Sequence, residues 1–251
     1  RTISRGVLAR GTTTLTIGGS FTIATNGVLS GMGTTTFDGT GTSNFTDNSS
    51  SLQNIGRVVI DGTSKTVQLG NNARIQSLTI GADDIFDIST GNFTLTLLTH
   101  FINNNTYLAR SGTTTFAGTT TNLTITPGGD AFYNLAFTGA GGAWSFTEST
   151  LSVGGNFIMS TGTVTLPTGT TTISGSFDNA TGTFAHNNSV VVFNGSGTRS
   201  VRQSGSDFTN AFYDVVFAGS GTYTFLGARA TTTSNFSITS GSVTRSSTLL
   251  T

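Results

Sequence analysis

Thr34-Thr-Thr-Phe37-Asp-Gly39 recurs as Thr113-Thr-Thr-Phe116-Ala-Gly118 and again as Val190-Val-Val-Phe193-Asn-Gly195. The steps from Phe37 to Phe116 and from Phe116 to Phe193 are nearly equal. Other phrases keep the same period. Phe132-Tyr-Asn-Leu-Ala-Phe137 returns one period later as Phe212-Tyr-Asp-Val-Val-Phe217, with a weaker copy at Val58-Val-Ile60. Ile17-Gly-Gly-Ser-Phe21 matches Leu97-Leu-Thr-His-Phe101 and Ile173-Ser-Gly-Ser-Phe177. Phe86-Asp-Ile-Ser-Thr-Gly matches Phe157-Ile-Met-Ser-Thr-Gly and Phe236-Ser-Ile-Thr-Ser-Gly. The chain therefore holds about three copies of a ~78-residue unit, a self-similarity that marks repeat architectures. The repeat phases fall near 1–54, 55–131, 132–211 and 212–251, and the chain is expected to form one continuous repeat domain.

Each copy is built from short runs that alternate apolar and polar residues, such as Leu15-Thr-Ile17 and Leu151-Ser-Val153. Period two is the mark of a half-buried strand. Gly, Asn, Ser-Gly and Thr-Gly break the runs every ~7–11 residues. Thr, roughly a fifth of the chain, suits a pleated surface, and 34 glycines disfavour helix. The expected class is all-β with almost no helix. Two architectures fit: a continuous β-solenoid (a parallel β-helix), or three tandem β-sandwich domains. The solenoid is favoured, because the strands are short and even and no linker separates the copies. Nor does the single tryptophan, Trp144, in a chain without cysteine allow an immunoglobulin-type Cys–Trp–Cys spacing. If a coil takes ~20 residues, each repeat holds about four coils. Phe21, Phe37, Phe101, Phe116, Phe157, Phe177, Phe193 and Phe236 are then expected to stack inward, and the Thr runs to form outward ladders. Phe116→Asp should disrupt the fold, while Thr114→Asp should be tolerated.

Charge is sparse. Asp, Glu, Lys and Arg make up 9% of residues, net charge is zero, and Lys65 is the only lysine. No basic footprint for nucleic acid exists, and no apolar run approaches the ~18 residues of a spanning helix. The Thr-, Ser-, Gly- and Asn-rich texture points to an extracellular protein on a cell surface. No leader precedes Arg1-Thr-Ile-Ser, so the chain is expected to be a processed product or a fragment.

The phrases Phe-Tyr-Asn-Leu-Ala-Phe137, Gly-Gly-Asn-Phe157 and Thr-Thr-Phe-x-Gly resemble the Gly/Thr/Asn-rich tandem repeats of large bacterial and archaeal surface proteins. These include adhesin- and autotransporter-like β-helices. The resemblance rests on texture and period over nearly the whole chain. It implies a solenoid and a surface location, and it carries over no site residue.

Chemistry-bearing residues are few. Polysaccharide-cleaving β-helices need clustered carboxylates. Here the one dense group is Asp83, Asp84 and Asp87, with Glu148 the sole glutamate. The other copies read Gly154-Gly-Asn156 and Thr233-Ser-Asn235 in that place. A solvated turn is the expected reading. The calcium-binding glycine nonapeptide is absent, since Gly128-Gly-Asp130 lacks its continuation. His100 and His186 have no acidic neighbour, and Gly139-Ala-Gly-Gly142 has neither a Lys nor a following helix to make a phosphate loop. Sequons at Asn44, Asn48, Asn92, Asn104, Asn122, Asn179, Asn187, Asn194 and Asn235 are no more than this composition produces by chance. No catalytic, cofactor-binding or metal residue is assigned, and an enzyme is not expected.

Two roles remain. The first is structural: a fibre, stalk or filament, its subunits associating head to tail. Both Arg1-Thr-Ile-Ser and Ser246-Ser-Thr-Leu-Leu-Thr251 read as ordinary solenoid sequence. About 12 coils at ~4.8 Å would give an axial rise of roughly 58 Å. The second is adhesion to a glycan or host surface, with Trp144, Tyr133, Tyr213 and Tyr223 as stacking platforms; for each, core packing is the competing reading. A polysaccharide-degrading enzyme ranks third.

Overall fold

A computed structural model describes residues 1–204, 210–226, 229–245 and 249–250. It is an all-β, parallel β-solenoid of stacked coils, without an α-helix among the described residues. No described helix is long and apolar enough to cross a membrane. By contacts the chain divides into two compact units, Arg1–Phe116 with Thr126–Asp130, and Ala117–Ile125 with Ala131–Thr251. The strand-like reading of residues 246–251 falls mostly outside the described residues, which there include only the strand Leu249–Leu250.

In the first unit the chain winds through three sheets. The first stacks Thr2–Ala9, Phe21–Ser30, Thr40–Asp47, Thr63–Leu69, Ile85–Asp87 and Thr106–Leu108. The second stacks Leu15–Ile17, Thr34–Phe37, Arg57–Ile60, Ser77–Ile80 and Phe101–Asn103. The third begins later, with Ala73–Ile75, Thr94–Leu97 and Thr113–Phe116. The second unit winds the same way. One of its sheets carries Asn134–Phe137, Phe157–Met159, Phe177–Asn179, Thr198–Arg202, Thr222–Leu226 and Ser242–Arg245. Another carries Leu151–Val153, Thr170–Ile173, Val190–Phe193, Asp214–Phe217 and Phe236–Ile238, and a third holds Ala143–Phe146, Thr163–Thr165 and Thr183–Ala185. Paired residues on successive coils include Leu95↔Thr114, Phe157↔Phe177 and Phe177↔Val201, so the step from coil to coil is not constant.

Parallel pairing puts like positions above one another, so the alternation of each strand becomes a column through the stack. Phe21, Phe37, Phe101, Phe116, Phe157, Phe177 and Phe193 are all buried inside. Their rings form continuous contacts: Phe137, Phe157 and Phe177 follow one another at 5.7 and 5.5 Å, and Phe193 stacks on Phe217 at 5.0 Å. Each such pair contributes about 0.5–1.5 kcal/mol beyond its burial. Phe236 differs in exposure but not in direction. It registers with buried Val215 and lies 5.6 Å from Phe217, yet is 42% exposed.

The threonine runs do not all face outward. Thr35, Thr114 and Thr171 are 0–1% exposed, at the inward position two residues before the Phe37, Phe116 and Ile173 columns. Period two requires this, since residues i and i+2 share a face. Each hydroxyl finds an internal partner: Ile55 O at 3.1 Å, Tyr107 Oη at 2.6 Å and Ser189 Oγ at 3.1 Å. The expected tolerance of Thr114→Asp is therefore corrected, and the outward positions of that strand are Thr113 and Thr115.

The glycine of the Phe-x-Gly phrase marks a corner where coils approach closely. Gly39 has φ +79°, and a Cβ on Gly195 would lie 1.8 Å from the Ser174 carbonyl oxygen. Only glycine fits either geometry.

The sequence repeat is not a whole number of coils. From Thr34–Phe37 the chain returns to the same sheet at Arg57–Ile60, Ser77–Ile80 and Phe101–Asn103. It then passes Thr106–Leu108 and reaches the copy, Thr113–Phe116, on a different sheet. The second unit repeats the pattern: Asn134–Phe137 and its copy Asp214–Phe217 also stand on different sheets. Each repeat thus spans about three and two-thirds coils, and the expected four are corrected. The reason is that a coil is slightly longer than the ~20 residues assumed from the sequence. A given phrase moves to another face with each copy, while its apolar positions stay inward.

Candidate functional site

The acidic turn is the densest group of ionisable side chains, and its surroundings begin one coil earlier. The turn at Gly62-Thr-Ser64-Lys65 leaves several backbone N–H groups pointing along the stack, helped by Ser64 at φ 53°. Asp84 accepts from the N–H groups of Gly62 (3.1 Å) and Lys65 (2.8 Å), and Asp83 accepts from that of Ser64 (3.1 Å). Asp87 ends the strand Ile85–Asp87 and ties three coils together. It accepts from the Gln68 amide (3.1 Å), from the Ser89 N–H (2.7 Å) and, as a fork, from Arg110 Nε and Nη2 (2.9 Å each). Asp84 and Asp87 are each 1% exposed, and only Asp83 faces solvent. The solvated-turn expectation is corrected accordingly. These carboxylates satisfy orphan main-chain donors at a corner, a buried arrangement that holds only when fully bonded.

Burial by itself pushes the Asp87 carboxyl up; the Arg110 fork, the Ser89 N–H and the Gln68 amide outweigh it and hold it below the usual carboxylate range. A carboxyl whose pKa is lowered by folding adds stability above its unfolded value and loses it as pH falls through the folded one. Stability of the first unit is therefore expected to fall as pH drops below about 4, the ordinary Asp value. Urea melts across pH should show Asp87→Asn removing part of that fall. An unchanged slope in the variant would show that Asp87 is not a stabilising carboxylate.

The lysine lies below this turn. In Lys65-Thr-Val67-Gln-Leu69, parity places Lys65 with two core residues, and it is 0% exposed. Its ammonium donates to Gly18 O (2.8 Å), Ser43 Oγ (2.6 Å) and, more loosely, Thr40 O (3.4 Å). The signal in the sequence that marks Lys65 as inward is its alternation with Val67 and Leu69; its charge conceals it. Ser43 is itself 3% exposed. Through Gly18, Thr40 and Ser43, Lys65 clamps its own coil to earlier ones. Arg10 performs a similar task. It donates to Thr34 O (3.1 Å), Thr35 Oγ1 (2.7 Å) and Ile55 O, and burial lowers its pKa from the ordinary value.

The remaining candidates are placed individually. Asp130, in the turn Pro127-Gly-Gly-Asp130, accepts from Asn103 Nδ2 (2.9 Å) and the Tyr107 N–H (2.7 Å). Glu148 and His100 are half-buried and each has partners. His186 accepts the Asn188 N–H at Nδ1 (2.9 Å) and stacks on Tyr213 at 5.4 Å. Gly139–Gly142 closes a turn through the Gly142 N–H to Gly139 O (3.1 Å). Among the sequons Asn179 is wholly buried, and the other eight asparagines are exposed. Of the four aromatic platforms, Trp144 and Tyr223 are core residues at 1% exposure. Tyr213 is half-buried, and Tyr133 is 37% exposed with its ring against Gly154 and Gly155. Among the described residues no three His, Cys, Asp or Glu side chains are grouped to hold a metal ion.

A shallow concavity of about 430 Å³ is lined by Asp47, Asn48, Ser49, Ser50, Leu52, Asn71 and Asn72. Its polar groups are largely spent on one another: Asp47 accepts from the N–H groups of Ser49 (3.0 Å) and Gln53 (2.7 Å), and Asn71 Oδ1 accepts the Asp47 N–H (2.9 Å). Chemically, the described polar clusters tie coil to coil. Comparison with protein-family models, with curated proteins and with solved structures finds no match to this chain.

Proposed function

We propose that this chain is an extracellular structural protein, a run of stacked coils that forms or extends a fibre, stalk or filament at a cell surface. The observation that carries the reading is the advance of each repeated phrase to another face. A binding strip built from the repeat would need its copies aligned on one side. Here the copies Thr34–Phe37 and Thr113–Phe116 lie on different sheets, and so do Asn134–Phe137 and Asp214–Phe217. What repeats faithfully is the inward column, which gives cohesion along the stack. The bonded clusters around Asp87, Lys65 and Arg10 serve the same end. An adhesin is the second reading; Tyr133, exposed with its ring beside Gly154 and Gly155, favours it.

Immunogold labelling and negative-stain imaging of the native cells test the proposal. Label along surface fibres or stalks is the expected result. Label confined to the cell interior, or turnover of a polysaccharide that disappears on mutating Asp83, Asp84 and Asp87, would overturn it.

A further inference from the structure

We propose that the corner carrying Tyr133, Asn134 and Asn156 in the second unit binds a neutral, extended, β-linked polysaccharide laid along the stack, about one sugar to a coil. The inference deepens the adhesin reading, which it supplies with a site and a ligand class. Copies of the long repeat change face, but residues one coil apart do not, so a strip forms at coil spacing. The corner lies between the inward residues Phe132 and Leu135, and it returns as Gly154-Gly155-Asn156 and then as Ser174-Gly175-Ser176. Main-chain bonds hold the three passages in step. The N–H groups of Gly154 and Gly155 donate to Phe132 O and Tyr133 O, and that of Gly175 donates to Gly155 O, each at 2.9 Å. Side chains add a second ladder: Asn134 Oδ1 accepts the Asn156 N–H (3.0 Å), and Asn156 Oδ1 accepts the Ser176 N–H (2.9 Å). Glycines make room for it. A Cβ on Gly155 would lie 2.5 Å from Asn134 Oδ1, and one on Gly175 would lie 2.6 Å from Asn156 Oδ1.

What this ladder leaves over points to the ligand. Both oxygens are turned to main-chain donors, so the amide nitrogens of Asn134 and Asn156 remain as donors and bond no described residue. Tyr133 stands at one end of the strip, 37% exposed, and its hydroxyl also bonds no described residue. At the other end Arg199 donates from Nε to Ser174 O (3.2 Å) and from Nη1 to Thr198 O (3.1 Å). The strip itself carries no charge, which suits neutral sugars. A pyranose has an apolar C–H face to lie against an aromatic ring, and hydroxyls that accept from carboxamide N–H groups. The coil spacing of ~4.8 Å is close to the advance of one sugar in an extended β-linked chain, so successive sugars meet successive coils in step. An α-linked chain coils and loses that step. A peptide strand is a poor occupant, because the main-chain groups of the corner are already paired from coil to coil and offer no edge to join.

The test is calorimetric titration of the 251-residue chain with cellohexaose, xylohexaose, mannohexaose and chitohexaose, and with hexagalacturonate as the acidic comparison. Wild type is expected to bind at least one of the neutral chains. Tyr133→Ala, Asn134→Asp and Asn156→Asp are each expected to weaken that binding roughly five- to tenfold, the worth of one ring contact or one hydrogen bond. The aspartate variants keep the ladder oxygens and remove only the free N–H donors, so an unchanged melt separates lost binding from lost structure. No binding of any neutral chain at millimolar concentration overturns the inference, and so does binding of hexagalacturonate alone. Binding of a neutral chain that all three variants retain overturns it too, while leaving the adhesin reading to another surface. None of these results bears on the fibre, which the labelling experiment tests, so the two can fail separately.

Discussion

Thr114→Asp and Phe116→Asp are both expected to abolish cooperative folding of the first unit, while Thr115→Asp leaves it intact. Phe116 is fully buried and meets Phe101 edge-on at 6.4 Å; Thr114 is 1% exposed and shares a 2.6 Å hydrogen bond with Tyr107. An aspartate at either position buries a carboxylate in the packed interior, which costs several kcal/mol. At 114 it also faces a phenol whose pKa burial already raises, so the Tyr107 hydroxyl stays neutral. Against a typical domain stability of about 5–15 kcal/mol, that loss is a large share of the total. Thr115 points outward, where substitutions usually change stability by no more than ~0.5 kcal/mol. Thermal and urea melts followed by circular dichroism decide the matter. Equal stability of the 114 and 115 variants would mean that the inward column is assigned to the wrong parity.

Removing residues 157–176 is expected to shorten the second unit by one coil and leave it folded, whereas removing residues 157–166 is expected to destroy its cooperative transition. The register shows why. Phe157 pairs with Phe177, Thr163 with Thr183 and Thr170 with Val190, a constant offset through one whole coil. Deleting that length joins Asn156 to Phe177 and presents Phe177 to Leu135, the residue that Phe157 covers in the intact chain. Corner, inward phenylalanine and ladder all survive. In a stack whose stability is roughly a sum of nearest-neighbour interfaces, the loss is one interface. Deleting half that length brings Pro167 to the place of Phe157, where no ring fills the column and no N–H donates to the ladder. Both variants can be followed by far-ultraviolet circular dichroism and the sharpness of the melt. A sharp melt in the half-coil variant would contradict coil-by-coil packing.

The sequence by itself determined the strand class, the repeat period and the direction of most side chains. These depend on local alternation, and a column of phenylalanines needs only parity to be inward. The same rule placed Thr114 beside Phe116 and Lys65 beside Val67; the polar character of those residues concealed it. Tertiary structure alone decided which face a repeated phrase occupies. Coil length varies, with Thr114 following Leu95 sooner than Val201 follows Phe177, because the corners absorb extra residues. One repeat period therefore accumulates to about three and two-thirds turns instead of four. The tertiary structure also decided that Asp84 and Asp87 are buried and that Trp144 and Tyr223 are core. A turn carboxylate goes inside when the coil before it leaves N–H groups to meet it, as Gly62 and Lys65 do for Asp84. Those donors lie a whole coil upstream, beyond the reach of any local pattern.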